Sequence, residues 1–259
     1  MMKVAVSGAA GRMGRLVVKN AFEKGLDIAQ AFDIREVGKD AGELAGIGKI
    51  GVSIQDDITR LDADVLIDFT IAEAAIKNAE VAAEKGVKIV IGTTGFTDEQ
   101  KKRLEKLSER IPMIVSPNFS LGVNVFWKIV EFAANFLSEW DTEIVELHHR
   151  HKRDAPSGTA MRLAEILKVV KKAKGEDVNI KTCREGIAPR GKEIGVFGVR
   201  GGDVVGEHTV FFFGNGERVE ITHRAMSREC FASGAVEAAK WLFNVSNPGL
   251  YTMNDVLGF

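Results

Sequence analysis

Short apolar runs alternate with amphipathic stretches through the first half of the chain. Residues 3–7 (KVAVS) are apolar and stop at a glycine, as a buried parallel strand does. Met13, Leu16, Val17 and Ala21 then recur at helical spacing within 12–24. Further apolar runs at 28–32, 63–69, 87–91 and 113–115 predict strands, while the alanine-rich 71–85 and the charged 98–110 predict helices. Strand and helix in this alternation imply a parallel sheet with right-handed crossovers.

The pattern changes after Pro117 and Asn118. Residues 121–137 read as a long apolar helix, 143–147 as a strand ending in charge, and 160–172 as a helix. Three strand-like segments follow at 194–199, 207–213 and 218–222, and Phe211-Phe212-Phe213 running into Gly214-Asn215-Gly216 is a hairpin signal. A last helix is expected over 232–243, with the apolar tail to Phe259 docked. The predicted architecture is α/β, with an N-terminal doubly wound parallel sheet and a second α+β domain holding a mixed or antiparallel sheet. The simplest division is a first domain of 1–118 and 227–259 and a second of 119–226.

Composition narrows the function classes. Hydrophobic residues make up 45% and charged residues 27% of 259, ordinary values for a globular protein. A formal net charge of −1 advertises neither a nucleic acid nor a membrane surface as partner. No stretch reaches the apolar length of a bilayer span. Cys183 and Cys230 stand far apart without CxxC spacing, which suits a reducing compartment and argues against a thiolate zinc site. These features predict a cytoplasmic protein.

Two glycine motifs bear on nucleotide binding. Gly8-Ala9-Ala10-Gly11-Arg12-Met13-Gly14 lies between the first predicted strand and helix. Glycine permits the tight turn and lets phosphate oxygens approach the backbone, and the helix N-terminus presents N–H groups and positive partial charge. The spacing is G-x-x-G-x-x-G, and Asp33 ends the second predicted strand, where a carboxylate can accept hydrogen bonds from ribose hydroxyls. The fold expected is therefore Rossmann-like. Gly92-Thr93-Thr94-Gly95 ends a later strand on the same carboxyl edge, where it serves either as a turn or as a cofactor contact.

Three of the five histidines fall in one hexapeptide, His148-His149-Arg150-His151-Lys152-Arg153, followed by Asp154-Ala155-Pro156-Ser157-Gly158-Thr159-Ala160. Histidine titrates near neutrality, lysine supplies positive charge, and Ser157-Gly158-Thr159 opens a helix whose N–H groups can grip a carboxylate. Such a segment can capture a dicarboxylate and deliver a proton beside a hydride transfer. It is equally read, from composition alone, as a solvated basic loop. A zinc site fails for want of ligands, because only His208 and His223 remain.

The run from Glu146 to Ala160 resembles the signature segment of dihydrodipicolinate reductases. The likeness continues through Gly8 to Gly14, Gly92-Thr93-Thr94-Gly95-Phe96, Asn118-Phe119-Ser120-Leu121-Gly122-Val123-Asn124, Arg200-Gly201-Gly202, Gly206-Glu207-His208-Thr209, Ile221-Thr222-His223-Arg224-Ala225 and Asp255-Val256-Leu257. The resemblance implies reduction of a small cyclic dicarboxylate by NADH or NADPH in lysine and diaminopimelate biosynthesis. It implies His148 as proton donor and acceptor and Lys152 as second proton donor. His149, Ser157, Gly158 and Thr159 then contact the substrate. Gly8, Ala9, Ala10, Gly11, Arg12, Met13, Asp33, Gly92, Thr93, Thr94, Pro117, Asn118, Phe119 and Ser120 line the cofactor. A homotetramer joined through the second domain's sheets, no metal, and no nucleic-acid or membrane partner complete the expectation.

Two positions depart from the family's habit. Many members place a basic residue directly after the ribose-binding acid, whereas Asp33 is followed by Ile34, with Arg35 one step on. Pro117 stands where alanine is common. Two other readings stay open on sequence: a different two-domain nicotinamide enzyme, such as an amino-acid or semialdehyde dehydrogenase, and a nucleotide sensor without turnover. The first gives no account of the histidine-lysine segment, and the second has no need of proton donors.

Overall fold

The computed structural model describes residues 1–259 and divides into two units, residues 1–121 with 228–259, and residues 122–227. In the first unit, β1 (Lys3–Ser7), α1 (Arg12–Glu23), β2 (Asp27–Phe32), α2 (Ala41–Ala45), β3 (Ile54–Gln55), β4 (Val65–Asp68), α3 (Ala72–Lys85), β5 (Lys88–Ile91), α4 (Asp98–Ser108) and β6 (Pro112–Val115) follow in order. The seventh strand of the sheet comes from the chain's end. Its order is β3-β2-β1-β4-β5-β6 and then that strand, and all pairings are parallel.

Strand alternation explains the layers. Val4, Val6, Val65, Ile67, Val90 and Ile114 point to one face, where Val17, Val18 and Ala21 of α1 cover them. Ala5, Leu66, Ile89, Ile91 and Met113 point to the other, against Ala75, Ala79 and Ala82 of α3 and Leu104 of α4. Both faces are thus dry, which is why these strands read as unbroken apolar runs. Full burial of each Val, Leu, Ile or Met among them contributes about 1.5–3 kcal/mol. Thr97 and Gln100 close a capping box on α4.

The second unit contains most of α5 (Leu121–Phe136), then β7 (Asp141–His148), α6 (Gly158–Ala173), β8 (Asn179–Lys181), β9 (Glu193–Arg200), β10 (Gly206–Phe213) and β11 (Arg218–Ala225). Its sheet order is β11-β10-β7-β9-β8, mixed, with β7 parallel to β9 and antiparallel to β10. The predicted hairpin is β10–β11, closed by Gly214 N–H on Glu217 O at 3.0 Å, with Gly216 at φ 82°. Ile144, Ile194, Val196, Val210 and Phe212 face α5 and α6, forming a core with Phe126, Val130, Leu163 and Leu167. The chain returns to the first unit as α7 (Glu229–Phe243), β12 (Gly249–Tyr251), which pairs with β6, and α8 (Met253–Leu257).

Candidate active site

The glycine loop lies at the point where β1 has β2 on one side and β4 on the other, the switch point of a doubly wound sheet. Gly8 and Ala9 donate N–H bonds to Phe32 O at 2.9 and 3.1 Å, tying the loop to the end of β2. The three glycines do different work. Gly8 has φ 77°, and a Cβ there would strike the Phe69 carbonyl. A Cβ on Gly14 would run into the Gly8 carbonyl and lie 2.7 Å from Ala9 Cα. A Cβ on Gly11 would find only Gly8 O at 3.0 Å and the end of Arg35 at 3.6 Å. Gly11 also caps α1 without a side-chain hydrogen bond, leaving the first-turn N–H groups for an anion. That cradle fits a dinucleotide's pyrophosphate.

Asp33, whose side chain is 5% exposed, accepts Ala10 N–H at 3.1 Å on one oxygen and Arg35 N–H at 2.9 Å on the other. The loop and the acid are therefore fixed to each other before any ligand arrives. Arg12 is exposed, Met13 packs partly into the core, and the buried Ala9 and Ala10 can offer a ligand only their backbone.

Gly92 lies against the Phe69 ring, and Thr93 donates its hydroxyl to Asp68 Oδ1 at 3.0 Å, leaving Thr94 as the exposed member of that loop. Burial pushes the Asp68 carboxyl above its usual range, against hydrogen bonds from Asn78 and Thr70 that favour its charge. After β6, Pro117 is exposed and Ser120 N–H binds Asn118 Oδ1 at 2.9 Å. The Phe119 ring is 2% exposed and meets Phe69 edge-on at 6.1 Å, so only its backbone can touch a cofactor.

In the second unit the histidine segment begins inside β7. Thr142, Ile144, Glu146 and His148 alternate onto the face that α6 covers, so a buried carboxylate and a partly exposed imidazole end up side by side. Glu146 is fully buried, and its carboxylate accepts His148 Nδ1 at 2.5 Å, Arg200 Nη1 and Nη2 at 2.9 and 2.7 Å, and Ser157 N–H at 2.9 Å. Burial opposes its charge, but the bonds from His148 and Arg200 outweigh that and hold the carboxyl down at about 2. Two glycines make the room. A Cβ on Gly198 would lie 2.8 Å from Glu146 Oε1, and one on Gly206 would lie 2.9 Å from His148 Nε2.

Beyond His148 the chain turns, with Lys152 N–H on His149 O, and is zipped to the next loop by His149 N–H on Val204 O and Gly201 N–H on His148 O. Lys152 Nζ meets Asp154 Oδ1 at 2.9 Å with its side chain 22% exposed. Ser157 caps α6, accepting Ala160 N–H at 3.3 Å, and its hydroxyl contacts His208 Nε2 at 2.9 Å. Ser157 is 2% exposed with both its N–H and its hydroxyl engaged internally, so it shapes the site, while Gly158 is the exposed first residue of the helix. Burial, reinforced by the nearby His148, pushes His208 down to about 3, so it is neutral at physiological pH.

Glu146, Arg200 and His208 belong to this cluster, yet motif reading assigned them no role. The signal was present: an acid on the buried face of β7, two residues before a histidine. The matching arginine and histidine reach it only through β9 and β10 pairing, which a local reading does not supply.

Comparison with known proteins agrees across the chain's length. Residues 2–119 match the N-terminal family model of dihydrodipicolinate reductase and residues 122–257 the C-terminal one. A 4-hydroxy-tetrahydrodipicolinate reductase of Archaeoglobus fulgidus is 76% identical over 99% of this chain and 100% of its own. One from Methanococcoides burtonii is 49% identical over the whole of both chains. Among solved structures, a dipicolinate-bound dihydrodipicolinate reductase from Paenisporosarcina sp. TG-14 is similar with TM-score 0.76 and 25% identity, covering 97% of each chain. An amine dehydrogenase from Mycobacterium smegmatis, at TM-score 0.61 and 15% identity over 96% of this chain and 94% of its own, shares the fold alone.

Proposed function

Because the chain belongs to the dihydrodipicolinate reductase family, we propose that its two residue clusters divide the work of that reaction between them. The activity is pyridine-nucleotide-dependent reduction of the dihydrodipicolinate precursor to tetrahydrodipicolinate, a step of lysine and diaminopimelate biosynthesis. The nucleotide, when bound, supplies a hydride. Gly11 and the first turn of α1 hold its pyrophosphate and Asp33 its ribose hydroxyls, with Thr94 and the backbone of 117–120 beside the nicotinamide end. Arg35, 66% exposed two residues beyond Asp33, is placed to meet a 2′-phosphate, so both NADH and NADPH serve.

The second cluster binds the dicarboxylate and protonates it. Gly158 and Thr159 at the start of α6, with His149, take one carboxylate. Lys152 exchanges Asp154 for the other carboxylate, an exchange of one partner anion for another that needs no bare charge. Hydride addition to the conjugated ring leaves an electron pair on the carbon–nitrogen system. His148, with Lys152 as second donor, supplies the proton that closes the reduction. The observation that carries this reading is the Glu146–His148 contact beside Lys152 and the α6 N-terminus.

Titration with pyridine-2,6-dicarboxylate tests the assignment. Lys152→Ala weakens that ligand at least about tenfold, about 1.4 kcal/mol, and leaves NADH affinity unchanged. Equal affinity in the two proteins removes Lys152 from the anion site.

The face of the second sheet turned away from α5 and α6 carries Val145, Leu147, Phe197, Val199, Phe211 and Phe213, with Phe211 and Phe213 stacked at 5.8 Å and Val199 49% exposed. These apolar side chains lie among Glu143, Thr209, Glu220 and Arg224 on the same face, and this is the surface proposed to join copies of the chain, in the homotetramer that the family resemblance implies. Val210 and Phe212 instead fill the unit's own core. No helix is long and apolar enough to cross a membrane. Cys183 and Cys230 form no disulfide, which suits the cytoplasmic enzyme proposed.

A further inference from the structure

We propose that Glu146 is a positioning residue for this reaction, holding His148 as its Nδ1–H form so that Nε2 is the nitrogen that exchanges the proton. This rests on the assignment of His148 as proton donor. The geometry leaves little freedom. A carboxylate 2.5 Å from Nδ1 must face a proton there, since two acceptors do not approach so closely. Glu146 cannot swing away, because Arg200 grips both its oxygens and Ser157 N–H a third lone pair. Arg200 is itself anchored to Asp154 O at 2.6 Å and Val199 O at 2.7 Å. Nε2 then lies over Gly206, where the absence of a side chain keeps it clear of the strand.

Proton transfer breaks Nε2–H and forms a C–H bond on the substrate, and the imidazolium becomes neutral imidazole still bonded to Glu146 through Nδ1. Solvent returns the proton to Nε2. The charged and titratable groups around the ring are Glu146 on β7, Arg200 on β9, His208 and, behind it, His223 on β10 and β11, and Lys152 in the following loop. Of these Glu146 is the one anion in contact with His148. Its removal disfavours the imidazolium and frees the ring to flip.

Nitrogen NMR of histidine-labelled protein, with the His148 signal identified by its loss in His148→Asn, gives the first test. The expected result is a neutral ring protonated at Nδ1 in the unmodified protein, and a neutral ring protonated at Nε2 overturns the proposal without any variant at Glu146. Glu146→Gln is expected to lower kcat/KM by about 10–10³-fold and to move the protonation limb of its pH profile downward. NADH affinity stays within a few-fold, and Glu146→Asp recovers part of the loss. A folded Glu146→Gln that binds NADH normally and keeps the limb in place gives Glu146 a structural role only. Wild-type turnover in His148→Asn overturns instead the assignment on which this proposal rests.

Discussion

His208 offers a prediction whose size can be worked out from its surroundings. It is 4% exposed, contacts Ser157 Oγ through Nε2 and stands edge-on to His148 at 5.2 Å. Burial and that neighbour lower it from 6.5 to about 3. The unfolded chain therefore takes up a proton near pH 6.5 that the folded chain refuses until about pH 3. The folded state binds fewer protons across that window, so stability rises with pH and is lost as pH falls. At 1.36 kcal/mol per pH unit, the loss from this one group between pH 7 and pH 5 is about 2 kcal/mol. Glu146 acts in a different window, because its lowered carboxyl gives stability that is lost only below about pH 4.5. His208→Gln keeps a polar atom near Ser157 and removes the titration. Urea unfolding of both proteins at pH 7 and pH 5 measures the difference. The variant is expected to lose about 2 kcal/mol less than the parent over that interval. Equal losses in the two proteins refute the claim that His208 is held neutral by its burial.

Three further outcomes follow from the geometry. Gly11→Val weakens NADH binding at least about tenfold while the protein stays folded, whereas Gly14→Ala, which drives a Cβ into the loop backbone, costs about 1–3 kcal/mol of stability and is seen as a lower urea midpoint. Both NADH and NADPH serve, and kcat/KM for NADPH exceeds that for NADH by no more than about a hundredfold, on the order of 2.7 kcal/mol, since Asp33 repels a 2′-phosphate that Arg35 attracts; a larger bias toward NADPH contradicts that balance. Light scattering gives the mass of four chains, and Phe211→Asp with Phe213→Asp gives a smaller assembly; a monomeric parent removes the sheet face as an interface.

Much of this architecture is legible in the sequence because each sheet has a simple burial rule. The strands of the first unit are dry on both faces, so 3–7, 63–69 and 87–91 stand out as apolar runs, and the loop after the first of them lies at the switch point. Short elements escaped, the strands β3, β8 and β12 and the helices α2 and α8 among them. Strands β3, β8 and β12 have only two or three residues and owe their conformation to a neighbour's ladder rather than to their own pattern. The site was half visible for a similar reason. His148, Lys152 and Ser157 lie in one contiguous stretch, whereas Arg200 and His208 come from strands more than forty residues away, and Glu146 shows its role only once they are paired against it. Phe119 and Ser157 sit in the motifs that resemble the family's, yet burial commits the ring of one and the hydroxyl of the other to the protein itself.

Steady-state kinetics of His148→Ala and Lys152→Ala test the central claim most directly, followed as oxidation of NADH that depends on freshly generated dihydrodipicolinate precursor and paired with NADH titration of each variant. Losing a positioned proton donor typically costs about 10²–10⁴ in rate. The account predicts a fall in kcat of about that size in both variants with NADH affinity within a few-fold of the parent. A wild-type kcat in either one contradicts it and leaves that residue as a surface charge beside the site.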